Sequence, residues 1–161
     1  MVLTQIEFDE MLSNQTKKIN ENIAWVGDKK NSETVKFRVP VVSDRDYPIF
    51  VDGSYNRYLD RLSYKIIHKE IGRRIYGLDM GKNHRNPDGK LVGENHIHKW
   101  TEEYEDRKAY SAQESISSPA NQPREVWQEF CYEANIDFQG VMEEIPPAQL
   151  EADFDLGGII I

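Results

Sequence analysis

The chain has 161 residues, 39% hydrophobic and 30% charged, with a formal net charge of −8. That is enough for one domain with its own core, and no apolar run approaches the roughly 20 residues that span a bilayer. The one cysteine, Cys131, excludes an internal disulfide and suits a reducing, cytoplasmic setting.

The N-terminus, "MVLTQIEFDE", is acidic and lacks the apolar region of a secretory signal. The stretch "LTQIEFDEMLSNQTKKINENI" predicts a helix. Thr4 stands at the N-cap with Glu7 three residues on, and Ile6, Phe8, Met11, Leu12, Ile19 and Ile23 form an apolar stripe. "TVKFRVPVV" alternates at period two, with Val35, Phe37 and Val39 on one face, and Pro40 marks an edge strand or a strand end. "IFVDG" reads as a short strand and "SYNRYLD" as a connection. "RLSYKIIHKE" and "RRIYGLDM" flank Ile71-Gly72 as a hairpin, within which His68 reads as a satisfied sheet histidine. "SAQESISSPANQP" is a linker. "PREVWQEFCYEANI" predicts a second helix, with Pro123 in its first turn and Val126, Trp127, Phe130, Cys131 and Ala134 as its buried stripe.

Strands close together in sequence pair antiparallel, because parallel crossovers need about a dozen residues. The expected fold is therefore α+β: an N-terminal helix, an antiparallel sheet of about four to six strands and a C-terminal helix. Residues 1–136 form that domain. Residues 137–161 form an acidic, apolar-ended tail outside the minimal fold, carrying Asp137, Glu143, Glu144, Glu151, Asp153 and Asp155 and no Lys or Arg. The tail holds −6 of the −8, leaving −2 for the body. General nucleic-acid binding needs a basic face. Apart from "KIIHKEIGRR" none is visible, so the expected partner is a protein with a basic surface, or a second copy of the chain.

Three of the four histidines lie between His84 and His98. Asn86-Pro87-Asp88-Gly89 is a turn by composition. Beyond it His96, His98 and Trp100 alternate with Ile97 and Lys99. On a strand, His96 and His98 would share one face about 7 Å apart along the chain. Two imidazoles so placed can share a metal with a third ligand, for which His84, Asp79 and Asp88 are candidates. A one-residue shift of register would turn Asp79 to the other face. The alternative is a structural network, in which the rings satisfy main-chain groups around a turn. The binding candidates are His84, Asn86, Asp88, His96, His98 and Trp100. "TEEYEDRK" reads as a solvated charged segment. There is no phosphate-binding glycine loop, no Cys-x-x-Cys pair and no Gly-x-Ser-x-Gly elbow, and Cys131 on a buried stripe is a poor nucleophile.

"LTQIEFDEML", "GLDMG", "HRNPDG" and "HIHKWTEEYEDRKA" resemble an uncharacterised group of small bacterial and phage proteins. Its pattern is Leu-Asp-x-x-Gly, His-x-Asn-Pro-Asp-Gly, then His-x-His-x-aromatic, over roughly residues 3–110. Glu103 and Glu105 stand where that pattern has glycine, and Lys108 where it has Trp. The tail "LEADFDLGGIII" resembles the acidic-then-apolar ends of bacterial single-stranded-DNA-binding proteins, without their terminal Phe and the Pro before it. No OB-fold pattern precedes it. These resemblances imply no cofactor and no transferable activity. They imply a phage or mobile-element protein that binds a host protein without catalysis, such as an inhibitor of a defence nuclease (an anti-CRISPR protein). The alternative expectations are a small His/Asp metal-dependent hydrolase or nuclease and a pocket that sequesters a nucleotide signal.

Overall fold

The computed structural model describes residues 2–31 and 33–147. Its first element is α1 (Gln5–Ser13), started by the expected capping box: the Thr4 hydroxyl accepts from Glu7 N, and the Glu7 carboxylate accepts from Thr4 N. The helix stops ten residues before the predicted end. Asn14 leaves helical geometry, and the Lys17 ammonium turns back to bind the carbonyls of Met11, Leu12 and Asn14 at the helix terminus. Burial lowers the Lys17 pKa to about 8. The following residues extend into β1 (Lys17–Ile19), and Ile19 and Ile23 are buried from extended chain. Ile6 is 70% exposed, so α1 presents only Phe8 and Met11 as fully buried residues.

A seven-stranded antiparallel sheet follows, in the order β2 (Val26–Gly27), β3 (Thr34–Pro40), β4 (Ile49–Asn56), β5 (Arg61–His68), β6 (Arg73–Met80), β7 (Asn95–Lys99) and β8 (Ala109–Ser111). It exceeds the expected four to six strands because β2 and β8 add two short edges. β4 also absorbs Ser54–Asn56, which the sequence assigns to a connection. There Tyr55 pairs with Leu62 and faces the core. The hairpin of β5 and β6 forms as expected, with a bulge between Ile66 and Ile67.

Alternation gives the sheet two unlike faces. Val35, Phe37, Val51, Tyr55, Leu62, Tyr64, Ile66 and Leu78 point to the core. The helix α2 (Pro123–Glu133) covers that face with the stripe read from the sequence. Trp127 meets Phe37 and Tyr64 edge-on, and Phe130 lies against Tyr64 and Tyr76. α1 lies on the same side, with Phe8 and Met11 lining one small cavity together with Ile49, Ile66 and Ile75. Each fully buried side chain of this size contributes roughly 1.5–3 kcal/mol.

The body continues past the boundary expected after Ile136. That position opens β9 (Ile136–Phe138), which pairs in parallel with β1 and contains Asp137. Phe138 packs edge-on against Trp127, Met142 is buried, and Pro146 O accepts from the Arg57 guanidinium. A pairing between chain ends more than a hundred residues apart leaves no local sequence signal. Glu143 and Glu144 follow on the surface, Glu144 3.5 Å from Arg124. Glu151, Asp153, Asp155 and the apolar terminus lie outside the described residues. Among the described residues, no helix is long and apolar enough to cross a membrane.

Candidate metal centre

The second face of the sheet carries the histidines. In β7, His96 pairs with Asp79 and His98 pairs with Gly77 of β6. Paired residues share a face, so this register puts Asp79 beside both rings. Gly77 has no side chain there, and a Cβ would lie 2.8 Å from Arg74 Cδ. The gap lets Arg74 reach along the strand to Asp79.

The loop from β6 to β7 brings the third ring. Gly89, at φ +84°, closes the turn with its N–H on Asn86 O at 2.8 Å. The Asn86 side chain then binds the main chain of Ala109 twice, at 2.9 Å each, and ties the loop to β8. Asn83 accepts from His84 N and Gly93 N and narrows the loop's neck. His84 thereby sits over the strand pair, its ring centre 4.5 Å from that of His98 and 5.5 Å from that of His96.

Each ring is oriented by one main-chain carbonyl. His96 Nδ1 lies 2.9 Å from Gly93 O, His98 Nδ1 2.8 Å from Asp106 O, and His84 Nε2 2.7 Å from Arg107 O. A carbonyl only accepts, so these three nitrogens carry the protons. The opposite nitrogens are His96 Nε2, His98 Nε2 and His84 Nδ1. One ligand atom from each of the three residues lies within 4.8 Å of the others. Asp79 Oδ2 is 3.5 Å from both Nε2 atoms. Asp79 also accepts from Ser63 at 2.9 Å and from Arg74 at 3.2 Å. Burial works to raise its pKa, but the contacts with His96, His98, Arg74 and Ser63 outweigh burial and hold it well below the usual carboxylate range. Burial lowers the pKa of His84, favouring a neutral ring.

Two of the three orienting carbonyls belong to the segment between β7 and β8, expected to be merely a solvated charged run. It is a tight loop, closed by mutual hydrogen bonds of Thr101 and Glu105. Glu105, one of the departures from glycine, takes a left-handed φ of 56°, with its carboxylate gripped twice by Arg73.

The structure thus brings His84, His96, His98 and Asp79 together. Asn86 is adjacent and holds the loop. Asp88 is exposed at the turn, where it accepts from Lys90 N, and stands outside the cluster. Trp100 is not in the site either. β7 ends at Lys99, and the indole swings into the core to donate to Leu3 O at 3.0 Å. His68 is separate, on the core face, its Nδ1 accepting from Ile71 N. Sequence reasoning missed Ser63, Arg61 and Lys82, and took Lys65 and Arg74 only as the ends of a basic stretch, without placing them at the histidines. Alternation against Leu62, Tyr64 and Ile66 places Arg61, Ser63 and Lys65 on one face, but only the strand register places that face beside the histidines.

The metal fit follows from donor chemistry. Zinc binds imidazole nitrogen at about 2.0–2.1 Å, and a tetrahedral site then spaces ligand atoms by ~3.3 Å. The ligand atoms lie within 4.8 Å of one another, up to about 1.5 Å wider than that spacing, so holding an ion would require the rings to close inward.

No curated protein and no solved structure matches this chain. Residues 3–136 match the model of a family of unknown function (DUF6978), a span that takes in α2 as well as the motifs. The chain belongs to that family.

Proposed function

We propose that the protein is a metal-dependent hydrolase that holds one divalent transition-metal ion on His84 Nδ1, His96 Nε2 and His98 Nε2, with Asp79 at the fourth side. The observation that carries this is the shared arrangement of the rings: each has one nitrogen on a main-chain carbonyl, and one ligand atom of each lies within 4.8 Å of the others. That is how ligand histidines are held in metal sites. Asp79 Oδ2, 3.5 Å from His96 Nε2 and from His98 Nε2, needs a proton or a cation between it and each nitrogen, and one bound ion would serve both. Three nitrogen ligands suit zinc and leave room for water on the cavity side. When bound, such an ion lowers the pKa of its water towards neutrality. Asp79, kept ionised by Arg74 and Ser63, is placed to accept a proton from that water or to complete the ligand set. This reading takes precedence over the acidic protein-binding module expected from the sequence, because Arg61, Lys65 and Lys82 lie around this face.

The test is zinc titration by calorimetry, with metal content measured after gel filtration. One ion per chain is expected. His84→Ala and His98→Ala should each weaken binding at least 100-fold while the far-ultraviolet circular dichroism stays native. Native-like variants that bind zinc as the wild type does, or a wild type that takes up none, would refute the proposal.

A further inference from the structure

The cavity beside the histidines has a volume of about 530 Å³, the scale of a small-ligand site. Its polar floor includes Ser54 and Ser63, cross-strand neighbours on β4 and β5. Four cations line it, Arg61, Lys65, Arg74 and Lys82, against one carboxylate, Asp79. In a chain of net charge −8 that is a local reversal of sign.

The four cations are not equally engaged. Arg74 is bound to Asp79 and Asp106, yet its Nε is buried without a hydrogen-bond partner among the described residues. Arg61, Lys65 and Lys82 make no ion pair among the described residues. By contrast, Arg38 and Asp52 on the same face neutralise each other through two contacts of 2.7 and 3.0 Å. Lys65 is cross-strand from Gly77, and Gly77 from His98. It therefore stands two interstrand spacings from the metal ligands, about 10 Å between backbones, with the Arg74 side chain lying over Gly77 between. Long cationic side chains can span part of that distance.

We infer that this cavity is a subsite for a phosphate ester, whose anionic oxygens are held by Arg61, Lys65 and Lys82 and whose ester bond points towards the histidines. Several cations around a metal ion favour a group with more than one negative oxygen. The hydroxyl of Ser54 adds a donor for the same oxygens. A carboxylate substrate would offer less charge to these three cations, and a neutral one none. The inference rests on the metal reading for the position of the ester bond, and on the cations alone for affinity. Hydrolysis there would form one P–O bond from water and break the P–O bond of the ester. Of the two water protons, one ends on the leaving oxygen as an alcohol and one passes to phosphate or solvent.

The experiment is calorimetric titration of the full chain, with and without zinc, by inorganic phosphate, p-nitrophenyl phosphate and bis(p-nitrophenyl) phosphate. The preferred probe among the last two tells a monoester site from a diester site. The double variant Arg61→Gln, Lys65→Gln should lose at least tenfold in phosphate affinity and keep its zinc stoichiometry. Lys36→Gln, which removes a cation paired with Asp28 on β3, should change phosphate affinity less than twofold. Cation-dependent phosphate binding without zinc uptake would support the subsite and sink the metal reading. Zinc uptake without phosphate binding, or phosphate binding that the double variant and Lys36→Gln share alike, would overturn the subsite and leave the metal reading standing.

Discussion

The two faces of the central sheet are built from the same strands, residue by residue in alternation, yet they are closed in opposite ways. On one face Leu62, Tyr64 and Leu78 are buried under α1 and α2 by apolar packing, with one polar contact, the Tyr64 hydroxyl donating to Pro123 O. On the other, His96 and His98 are each only 2% exposed, as buried as those core residues, although both are polar. What covers them is two loops, 81–94 and 100–108, fastened by hydrogen bonds. Burying polar groups in this way is costly unless each finds a partner. Every histidine in the cluster has found a carbonyl, and Asp79 has found four side chains. An ordinary solvated sheet face needs none of this. The second face is thus constructed around its polar groups, while the first is constructed to exclude water.

The comparison can be broken most severely from the apolar side. Trp127→Ala removes the ring that touches Phe37, Tyr64, Phe130 and Phe138. It should cost roughly 3–5 kcal/mol in urea denaturation, with zinc affinity unchanged in the fraction still folded. A loss below about 1 kcal/mol would mean that α2 is not what closes that face.

A smaller effect should come from the fastening of the polar side. Asn86→Ala leaves the N–H and the carbonyl of Ala109 without their partner and frees the loop that carries His84. A stability loss of about 1–2 kcal/mol is expected, together with weaker zinc binding, because His84 is no longer held over the strands. Full zinc affinity in that variant would separate the loop's fastening from the site.

The smallest effect concerns the rim of the apolar face. Glu129 on α2 accepts four hydrogen bonds from the main chains and hydroxyls of Ser117 and Ser118, pinning the segment that leads into α2. Burial works to raise its pKa, the serine hydrogen bonds lower it, and the net shift is downward. A carboxyl with a depressed folded-state pKa adds stability above its unfolded pKa, near 4.5 here, and loses it as pH falls through the folded value. Denaturation at pH 7 and at pH 3.5 should show this contribution, under about 1 kcal/mol at a site so near the surface. Glu129→Gln should remove it. Equal pH dependence in the variant and the wild type would assign the slope to other carboxylates.

Much of this was legible locally. The capping box at Thr4 and Glu7, the stripe from Val126 to Ala134, the hairpin around Ile71-Gly72 and the turn at Asn86–Gly89 all rest on interactions within a few residues. For the same reason α1 was drawn too long: Ile19 and Ile23 kept helical spacing by coincidence, while their true partners, Phe138 and Met142, lay beyond any local window. The site divides in the same way. Period-two alternation put His96 and His98 on one face, and Trp100 escaped the pattern only because the strand had already ended.

The sequence by itself determined the element types, the α+β class and the shared face of two histidines, because each depends on backbone preference and periodicity over a short span. Only the tertiary structure decided that Asp79 faces His96, that His84 folds over both, and that Asp106 and Arg107 lend their carbonyls. Strand register and loop closure are set by contacts between residues 8 to 23 positions apart, and no short stretch of chain encodes them.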